Sequence, residues 1–447
     1  MSIVTPRTVA GTLELLPREQ IAFQRMLDII RHGYERFGFL PIETPVFEAR
    51  DILLTKSGGE TEKQVYFVQS TGALEQGHAP DLALRFDLTV PLARYVAEHE
   101  RDLVFPFRRY QMQRVYRGER AQKGRFREFY QCDIDVIGKD RLDPAYDAEI
   151  PAIIAQIFTE LDLGSFTIYF SNRKILFGLF AAFDYDEEVQ RLCLREIDKL
   201  DKIGGRQVQE NLHTLGVKPE DARRIIRVIG SQGRSAEIIG LLKAEKITHP
   251  IFAAGLAEAE AMIGALDALG VPEGRTRLNL AIARGLDYYT GTVYETLIDA
   301  HPEFGSVCSG GRYDDLAGLY TKSKLPGVGI SIGATRLFDC LRSLGWGKDL
   351  PGSVQILVTQ MDETLRRDYL ALAARLRQAG LNTEIYLEPA KLDKQLRYAD
   401  RARIPVALLM GAAEHARGAV QVKYLARQEQ KEVALDHLIA HLRADFA

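Results

Sequence analysis

The sequence has little cysteine and no long apolar run. Its cysteines, Cys132, Cys193, Cys308 and Cys340, include no C-x-x-C pair and have no histidine at zinc-ligand spacing. Neither a disulfide framework nor structural zinc is therefore expected, and a reducing cytoplasm is the expected location. No stretch approaches the roughly 20 apolar residues of a membrane-spanning helix, and the N-terminus lacks a signal-peptide apolar core. No membrane partner is expected.

A strong charge of one sign is also missing. The formal net charge is −3 over 447 residues, so binding to nucleic acid would need a local basic patch. One such patch is the segment 108–127, RRYQMQRVYRGERAQKGRFR, which contains eight Arg or Lys residues and one acid, Glu119. The length exceeds the size at which a single core stops growing, so two or three domains are expected.

Hydrophobic patterning divides the chain into mixed and all-helical parts. Residues 1–171 begin with an amphipathic helix and continue with strands, including a long hairpin over 104–138 with a basic tip. Between 172 and 270, amphipathic helical patterns broken by Gly or Pro predict a helical insertion. The β-rich pattern resumes over 271–342.

The C-terminal part is set apart by a linker. Residues 343–353, SLGWGKDLPGS, have a linker composition. Residues 354–447 alternate strand and helix and end in a helix from about Leu435. This order predicts a small α/β domain with a mixed, largely parallel sheet.

The basic hairpin has two interpretations. One is a solvated charged loop. The other is a polyphosphate clamp, because arginine binds phosphate oxygens bidentately. Two-residue alternation predicts that Arg117 and Glu119 share a strand face with Val115, and that Arg125 and Arg127 have the same parity on the returning strand. Several guanidinium groups on one sheet face favour the clamp.

Polar side chains also recur at two-residue spacing elsewhere. RFDLTVPL is predicted to place Asp87 and Thr89 on one side of a strand. FYQCDIDV places four side chains on one side of another strand: Phe129, Gln131, Asp133 and Asp135. Either stretch alone is typical of an ordinary half-exposed sheet face. The segment IARGLDYYTGTVYE adds Arg284, Tyr288 and Tyr289. Together these groups suit a zwitterionic ligand, with acids and an amide for an ammonium and arginine for a carboxylate.

Two glycine-rich segments, CSGGRYDDLAGLY and LPGVGISIGATRLFDCL, allow close approach of the backbone. Arg336 is predicted in the first turn of a helix that follows Gly333. Neither segment is a P-loop or a Rossmann fingerprint, because the required glycine spacing is missing. Alone they are weak signals.

These segments together resemble the histidyl-tRNA synthetase family of class II aminoacyl-tRNA synthetases, over essentially the full chain. GFLPIETPVFE is similar to the first class II motif, YRGERAQKGRFREFYQ to the second and GVGISIGATRLF to the third, while RGLDYY and SGGRYDDL resemble segments particular to the histidine enzymes. The resemblance implies an α+β fold: a class II catalytic domain (1–171 and 271–342) with an antiparallel β-sheet flanked by helices, a helical insertion (172–270), and a C-terminal α/β anticodon-binding domain (354–447).

The resemblance also implies residue roles. The ammonium of histidine would be held by Asp87, Thr89 and Gln131. Its imidazole would be held by Asp135 and Tyr289, with Tyr288 lining the pocket. The substrate carboxylate and the α-phosphate of ATP would contact the catalytic residues Arg117 and Arg284. ATP would also be held by Glu119, Arg125, Phe129 and Arg336. The acceptor end of the tRNA would meet Arg120 and Gln122.

The implied reaction joins L-histidine to tRNA(His). The histidine carboxylate attacks the α-phosphorus of ATP, and the terminal ribose of the tRNA then takes histidine from the adenylate. Mg²⁺ on the phosphates would assist, and the first motif, with its signature Pro45, implies a homodimer. Ala121 stands where the family often has Pro. Thr335 stands where many class II members carry an acid, so no metal ligand is assigned.

Two other functions remain open. A catalytically silent histidine-sensing paralogue, the regulatory subunit of ATP phosphoribosyltransferase, shares the catalytic fold, but that family lacks the C-terminal domain and usually loses RGLDYY and the second-motif arginine. An RNA-binding module without chemistry is favoured only by the basic hairpin and by a helix with basic residues at three- and four-residue spacing: Lys391, Lys394, Arg397 and Arg401. A solvated helix face explains that spacing equally well.

Overall fold

The computed structural model describes residues 3–54, 62–120, 124–282, 289–315 and 317–446, with the side chains of Glu62 and Asp201 left out. The chain divides into two compact units, one of residues 1–14 and 25–345 and one of residues 15–24 and 346–447. No described helix is long and apolar enough to cross a membrane.

The larger unit is built on a mostly antiparallel sheet. The strands up to residue 345 are β1 (Leu40–Pro41), β2 (Phe47–Ala49), β3 (Phe67–Val68), β4 (Leu82–Leu84), β5 (Phe107–Tyr116), β6 (Glu128–Ile137), β7 (Phe166–Asn172), β8 (Thr276–Leu278), β9 (Thr292–Ile298), β10 (Cys308–Tyr313) and β11 (Gly327–Gly333). Among described residues, eight of them pair in the order β1-β5-β6-β11-β10-β9-β7-β8. The pairs at the two ends of this sheet, β1–β5 and β7–β8, are parallel. The other pairs described in it are antiparallel. Strands β2, β4 and β3 form a separate small sheet. The predicted hairpin is confirmed as the antiparallel pair β5–β6.

Helices flank this sheet, as predicted. The helices up to residue 345 are α1 (Pro17–Arg36), α2 (Arg50–Leu54), α3 (Thr71–Glu75), α4 (Thr89–Glu98), α5 (Tyr146–Glu160), α6 (Arg173–Ala182), α7 (Glu187–Ile197), α8 (Leu200–Thr214), α9 (Pro219–Ile229), α10 (Ser235–Ala244), α11 (Pro250–Ala268) and α12 (Ala334–Ser343). Short 3₁₀ turns lie at Glu62–Gln64, Glu273–Arg275 and Pro302–Phe304.

Cross-strand register gives the two faces of the large sheet different chemistry. On one face, Tyr110 of β5 lies opposite Ile134 of β6, and helices cover these side chains. The Tyr34 ring of α1 lies 6.0 Å from the Tyr110 ring, and the Tyr294 hydroxyl of β9 donates to the carbonyl of Asp147 in α5 at 2.8 Å. The other face carries polar side chains and glycines on its central strands, so it is the face available to a polar ligand.

The helical insertion of the predicted fold class is confirmed. The described residues from Arg173 to Ala268 form helices α6 to α11 and no strand. Its first and last helices cross closely because glycines remove side chains at the crossing. A Cβ on Gly178 of α6 would overlap the backbone of Phe252, and a Cβ on Gly255 of α11 would lie 2.7 Å from the nitrogen of Ile175.

The smaller unit contains a five-stranded sheet within the described residues, in the order β13-β12-β14-β15-β16. Its elements are β12 (Ile356–Val358), α13 (Arg366–Gln378), β13 (Thr383–Ile385), α14 (Leu392–Ala402), β14 (Val406–Leu409), α15 (Ala412–Ala416), β15 (Ala419–Tyr424), β16 (Glu429–Ala434) and α16 (Leu438–Phe446), with a 3₁₀ turn at Glu363–Leu365. The α/β class is confirmed. The expectation of a largely parallel sheet is wrong, because β14, β15 and β16 pair antiparallel.

Candidate active site

The polar face of the sheet is centred on β6. Gln131, Asp133 and Asp135 share this face, as the two-residue alternation predicts, and lie opposite Gln113, Gln111 and Arg109 of β5 in turn. Asp133 is 3% exposed and Asp135 6%. Carboxylates this buried need partners or a ligand, since burial disfavours the charged form.

Asp135 is held by two residues that the sequence did not single out. Arg109, fully buried on β5, forms an ion pair with its carboxylate. The Tyr313 hydroxyl on β10 donates to Oδ1 at 2.9 Å. Burial raises the pKa of Asp135, whereas Arg109 and Tyr313 lower it. Gly329 of β11 lies opposite Asp135, and a Cβ there would overlap Oδ1, so glycine leaves room for the carboxylate between strands.

Asp87 and Thr89 do not lie on a strand, and that expectation is wrong. Strand β4 ends at Leu84 and helix α4 begins at Thr89. Oδ1 of Asp87 accepts hydrogen bonds from the backbone nitrogens of Thr89 and Val90, at 3.0 and 2.9 Å. Asp87 therefore caps the start of α4, since a side-chain oxygen at this position satisfies the free N–H groups of a first turn.

Tyr289 covers the polar face from the side of β10. A Cβ on Gly311 would lie 2.8 Å from Cδ1 of Tyr289, so the ring packs directly on that glycine. The ring also contacts the apolar cluster of α4 that includes Leu92 and Val96. Burial raises the pKa of Tyr289 well above its ordinary value, and Asp135 and Asp133 add to the rise. Arg284 and Tyr288, predicted for the same pocket, lie outside the described residues.

A cleft of about 380 Å³ adjoins this pocket on the same face of the sheet. It contains the predicted ATP-binding residues together with Gln131; its polar and aromatic lining includes Gln64, Arg117, Glu119, Arg125, Phe129, Gln131, Ser306, Ser309, Ser331 and Arg336. The serines and Gln64 were not predicted, because serine and glutamine are common in loops and at strand ends, and neither fits a motif.

Arg117 is fixed at the junction of the pocket and the cleft. Its guanidinium lies 4.4 Å from the centre of the Phe86 ring and 5.1 Å from that of Phe129, and Nε donates to the carbonyl of Phe86 at 3.2 Å. Burial lowers the pKa of Arg117, while Asp87, Glu119 and Asp133 raise it. A preoriented arginine in such a position is suited to a phosphate or a carboxylate.

The hairpin arginines around Arg117 were predicted to lie on strand faces, and this prediction is wrong. Strand β5 ends at Tyr116 and β6 begins at Glu128, so Arg117, Glu119, Arg125 and Arg127 lie beyond both strands. The backbone nitrogen of Arg117 still donates to the carbonyl of Arg127 at 2.9 Å, which keeps the two chains together. Arg125 and Glu119 form an ion pair at 3.2 Å.

The remaining predicted residues are Arg336, which lines the cleft, Arg120 and Gln122. Arg336 is in the first turn of α12, as predicted, and its Nη1 donates to the carbonyl of Ser306 at 3.2 Å. Arg120 is exposed. Gln122 lies outside the residues that the structure describes.

Comparison with known proteins identifies this arrangement. A family model described as histidyl-tRNA synthetase matches residues 11–337, and one described as an anticodon-binding domain matches residues 353–445. A histidine–tRNA ligase of Xanthomonas axonopodis pv. citri is 56% identical over 463 residues, which cover 99% of this chain and 97% of that protein. The chain belongs to the histidyl-tRNA synthetase family. The predicted family and fold class are confirmed.

Solved structures agree with this family. The histidyl-tRNA synthetase from Nostoc sp. PCC 7120 is 41% identical, with a TM-score of 0.91 over 99% of this chain and all of that one. An ATP phosphoribosyltransferase regulatory subunit/histidyl-tRNA synthetase from Bacillus halodurans C is 21% identical, with a TM-score of 0.73 over 89% of this chain and 97% of that one. The second likeness shows the fold alone.

Proposed function

We propose that the chain is a histidine–tRNA ligase, which activates L-histidine with ATP and transfers it to the 3′ end of tRNA(His). The observation that carries the proposal is the junction at Arg117, where an acidic pocket meets an arginine-lined cleft on one face of the sheet. An amino acid in the pocket and a nucleotide in the cleft would bring a carboxylate and an α-phosphorus together there.

The acidic pocket takes histidine. Asp87, Thr89 and Gln131 hold the ammonium, while Asp135 and Tyr289 hold the imidazole. The fixed orientation of Asp135, between Arg109 and Tyr313, supports its role as an imidazole acceptor. Tyr288 as pocket wall and Arg284 as carboxylate ligand rest on the match to RGLDYY alone.

The arginine-lined cleft takes ATP. Glu119, Arg125, Phe129 and Arg336 hold the nucleotide, with the Phe129 ring on adenine and Arg336 near the γ-phosphate. Arg117 and Arg284 are the catalytic residues, since cationic groups aimed at the pentavalent phosphate stabilise charge that develops in the transition state. The substrate carboxylate itself is the nucleophile, so no activated side chain is needed. The cysteines agree with this, because burial raises the pKa of Cys132, Cys193, Cys308 and Cys340.

Mg²⁺ accompanies the phosphates of ATP in this proposal. Among the described residues, no group of three His, Cys, Asp or Glu side chains is placed to hold a metal ion. Magnesium at phosphate-binding sites is commonly held by substrate oxygens, water and one or two carboxylates rather than by a protein cage. It would neutralise phosphate charge during the attack.

The tRNA contacts both units. Arg120 and Gln122 at the hairpin tip meet the acceptor end. Residues 354–447 serve as the anticodon-binding domain, and the stripe of Lys391, Lys394, Arg397 and Arg401 along α14 is exposed, as a surface that binds phosphates requires. The catalytic domain is assigned to 1–171 and 271–342, the insertion to 172–270 and the linker to 343–353.

The proposal includes a homodimer formed near the first class II motif. Large apolar side chains between residues 40 and 82 are at least 40% exposed: Leu40, Phe47, Phe67, Leu74 and Leu82. Three of them, Phe47, Phe67 and Leu82, lie on the three strands of the small sheet β2-β4-β3, and an exposed apolar patch marks an interaction surface. Sedimentation of the Phe47→Glu variant tests this, and an unchanged mass would contradict it.

Histidine-dependent exchange of labelled pyrophosphate into ATP tests the ligase activity, with the other amino acids as controls. Exchange is expected with histidine only, and it is expected to fall sharply in Arg284→Ala but not in Arg223→Ala, an exposed arginine of α9. Histidine binding without exchange would instead favour the histidine-sensing paralogue. Absence of both would reject a histidine site.

A further inference from the structure

Asp133 occupies the middle of the candidate pocket but has no role assigned above. It lies between Gln131 and Asp135 on the same face of β6, opposite Gln111 on one side and Ser331 on the other. It is 3% exposed. A carboxylate in this position faces whatever ligand occupies the polar face of the sheet.

The two buried aspartates of β6 differ in their partners. Both oxygens of Asp135 are engaged, one by Tyr313 and the other by Arg109. Asp133 accepts a hydrogen bond from Ser331, but within the described residues no donor reaches its Oδ1. A buried acceptor without a donor loses its hydration and gains no hydrogen bond in return, so a ligand donor at this point would be strongly favoured.

The neighbouring Gln131 also has a buried acceptor atom that no donor reaches within the described residues. The Gln131 side chain donates from Nε2 to Ser331 Oγ at 2.8 Å, and in the described part of the chain its Oε1 has no donor. Asp87 is close enough to Asp133 and to Arg117 to act on the pKa of both. The centre of the pocket therefore has a surplus of acceptors, which suits a cation with several N–H donors.

We propose that Asp133 is a further histidine-binding residue, whose Oδ1 accepts a hydrogen bond from the α-ammonium of the substrate. The inference deepens the proposed function and rests on it. An ammonium carries three donors, and Asp133 Oδ1, Gln131 Oε1 and the Asp87 carboxylate offer acceptors for them beside the Thr89 hydroxyl. Asp135 and the neighbouring Tyr289 then bind the imidazole of the substrate.

The protonation of Asp133 is consistent with this role. Its pKa is raised to about 7, mainly by burial and also by the neighbouring Asp135 and Asp87, although Arg109 and Ser331 act to lower it. This environment disfavours the charged form of Asp133. A bound ammonium would supply the missing positive charge and stabilise the carboxylate form.

The test compares two ligands in full-length Asp133→Asn and wild type. The KM for histidine in pyrophosphate exchange is expected to rise about 10- to 100-fold, the range for a hydrogen bond to a charged group. The inhibition constant of imidazole-4-propionate, which is histidine without its ammonium, is expected to stay unchanged. Asp133→Ala provides a second variant with the same expected pattern if the amide disturbs folding.

Asp140→Asn is the matched control, because it makes the same change at an exposed position just beyond β6, where φ is 65° and Asn is well tolerated.

An unchanged KM in Asp133→Asn would reject the inference. Equal weakening of both ligands would also reject it, since Asp133 would then act on the imidazole or on another protein group. If wild type itself shows no exchange with histidine, the proposed function fails, whereas the outcomes above concern Asp133 alone.

Discussion

The Tyr313 hydroxyl on β10 donates a hydrogen bond to Asp135 Oδ1 on β6, at 2.9 Å, across the intervening strand β11. The bond can span a whole strand because two glycines of β11 have no side chain: a Cβ on Gly327 would overlap the Tyr313 hydroxyl, and a Cβ on Gly329 would overlap Asp135 Oδ1. Together with Arg109, it fixes the orientation of the carboxylate. The orientation of Asp135 therefore depends on a residue of the SGGRYDDL segment, which the sequence indicated as glycine-rich and as similar to a segment of the histidine enzymes, without assigning Tyr313 a role.

Tyr313→Phe is expected to raise the KM for histidine about 10-fold, with a smaller effect on kcat, because it removes one hydrogen bond to a buried charge. Steady-state pyrophosphate exchange measures both constants. Tyr294→Phe is the control: the two tyrosines are equally buried, at 2% exposure, but Tyr294 bonds to α5 on the opposite face. A similar change in both variants would show a general packing effect.

Arg117→Lys is expected to lower kcat about 10²- to 10³-fold, since an ammonium cannot reproduce the fork and stacking of a guanidinium beside a developing phosphate charge. The lysine would lose the two aromatic contacts with Phe86 and Phe129. Arg114→Lys, near the end of the preceding strand β5, is the control, because its side chain is 53% exposed and pairs with Glu128 at the surface. A kcat within a factor of a few of wild type for Arg117→Lys would remove the catalytic role.

Alternation patterns were enough to predict several elements of the fold. The hairpin β5–β6, the helix α1 and the shared face of Gln131, Asp133 and Asp135 all follow from apolar residues at two-residue or helical spacing. Strand β16 was missed because its sequence, EQKEVA, is exposed except at Val433 and so has no apolar alternation. One of the two antiparallel pairs of the C-terminal sheet, β15–β16, involves that strand; the other is β14–β15.

The partners within the site could not be predicted. Alternation gives the face of a strand but not its neighbour or its register, so Arg109 and Tyr313 had no visible link to Asp135. Asp87 and Thr89 were predicted on a strand, whereas β4 ends at Leu84 and α4 begins at Thr89, so a residue that caps a helix was assigned to a strand face. The roles taken from the family resemblance remain predictions.

A buried ion pair joins α5 to the sheet behind the pocket. Arg312 of β10 bonds to Asp147 at 2.9 Å through Nε, and the Thr292 hydroxyl bonds to the same carboxylate at 2.6 Å. Asp147→Ala is expected to lower the free energy of unfolding by about 3–5 kcal/mol, because it leaves a buried guanidinium unpaired. The shift of the urea midpoint measures this, since the midpoint moves with stability when the slope is unchanged.

Glu160→Ala provides the comparison for Asp147→Ala. It breaks an ion pair with Arg36 in which both side chains are more than one third exposed, so its cost is expected to be about 1 kcal/mol or less. If the two variants lose similar stability, the Arg312 pair contributes no more than a surface pair.

Asp133 is expected to make stability depend on pH. The unfolded carboxyl ionises near its ordinary pKa of 3.8, whereas the folded one keeps its proton up to about 7. Between these values the folded state binds more protons, so this group's contribution to stability falls as pH rises. Without histidine, Asp133→Asn should therefore gain stability over wild type on going from about pH 5 to about pH 8. Calorimetric midpoints at both pH values measure the difference; a constant difference would contradict the raised pKa.

The basic stripe of α14 gives a prediction for tRNA binding. The double change Lys394→Glu with Arg397→Glu is expected to weaken tRNA(His) binding and to reduce the slope of log affinity against log salt by up to about 2, because each lost phosphate contact removes nearly one released counterion. Pyrophosphate exchange should not change, since the reaction needs no tRNA.

The control is the double change Arg427→Glu with Lys431→Glu. It alters the net charge equally, at other exposed positions of the same unit, and should leave tRNA binding largely intact. Equal loss in both double variants would indicate only nonspecific attraction, whereas loss confined to the α14 variant assigns the anticodon contact to this helix.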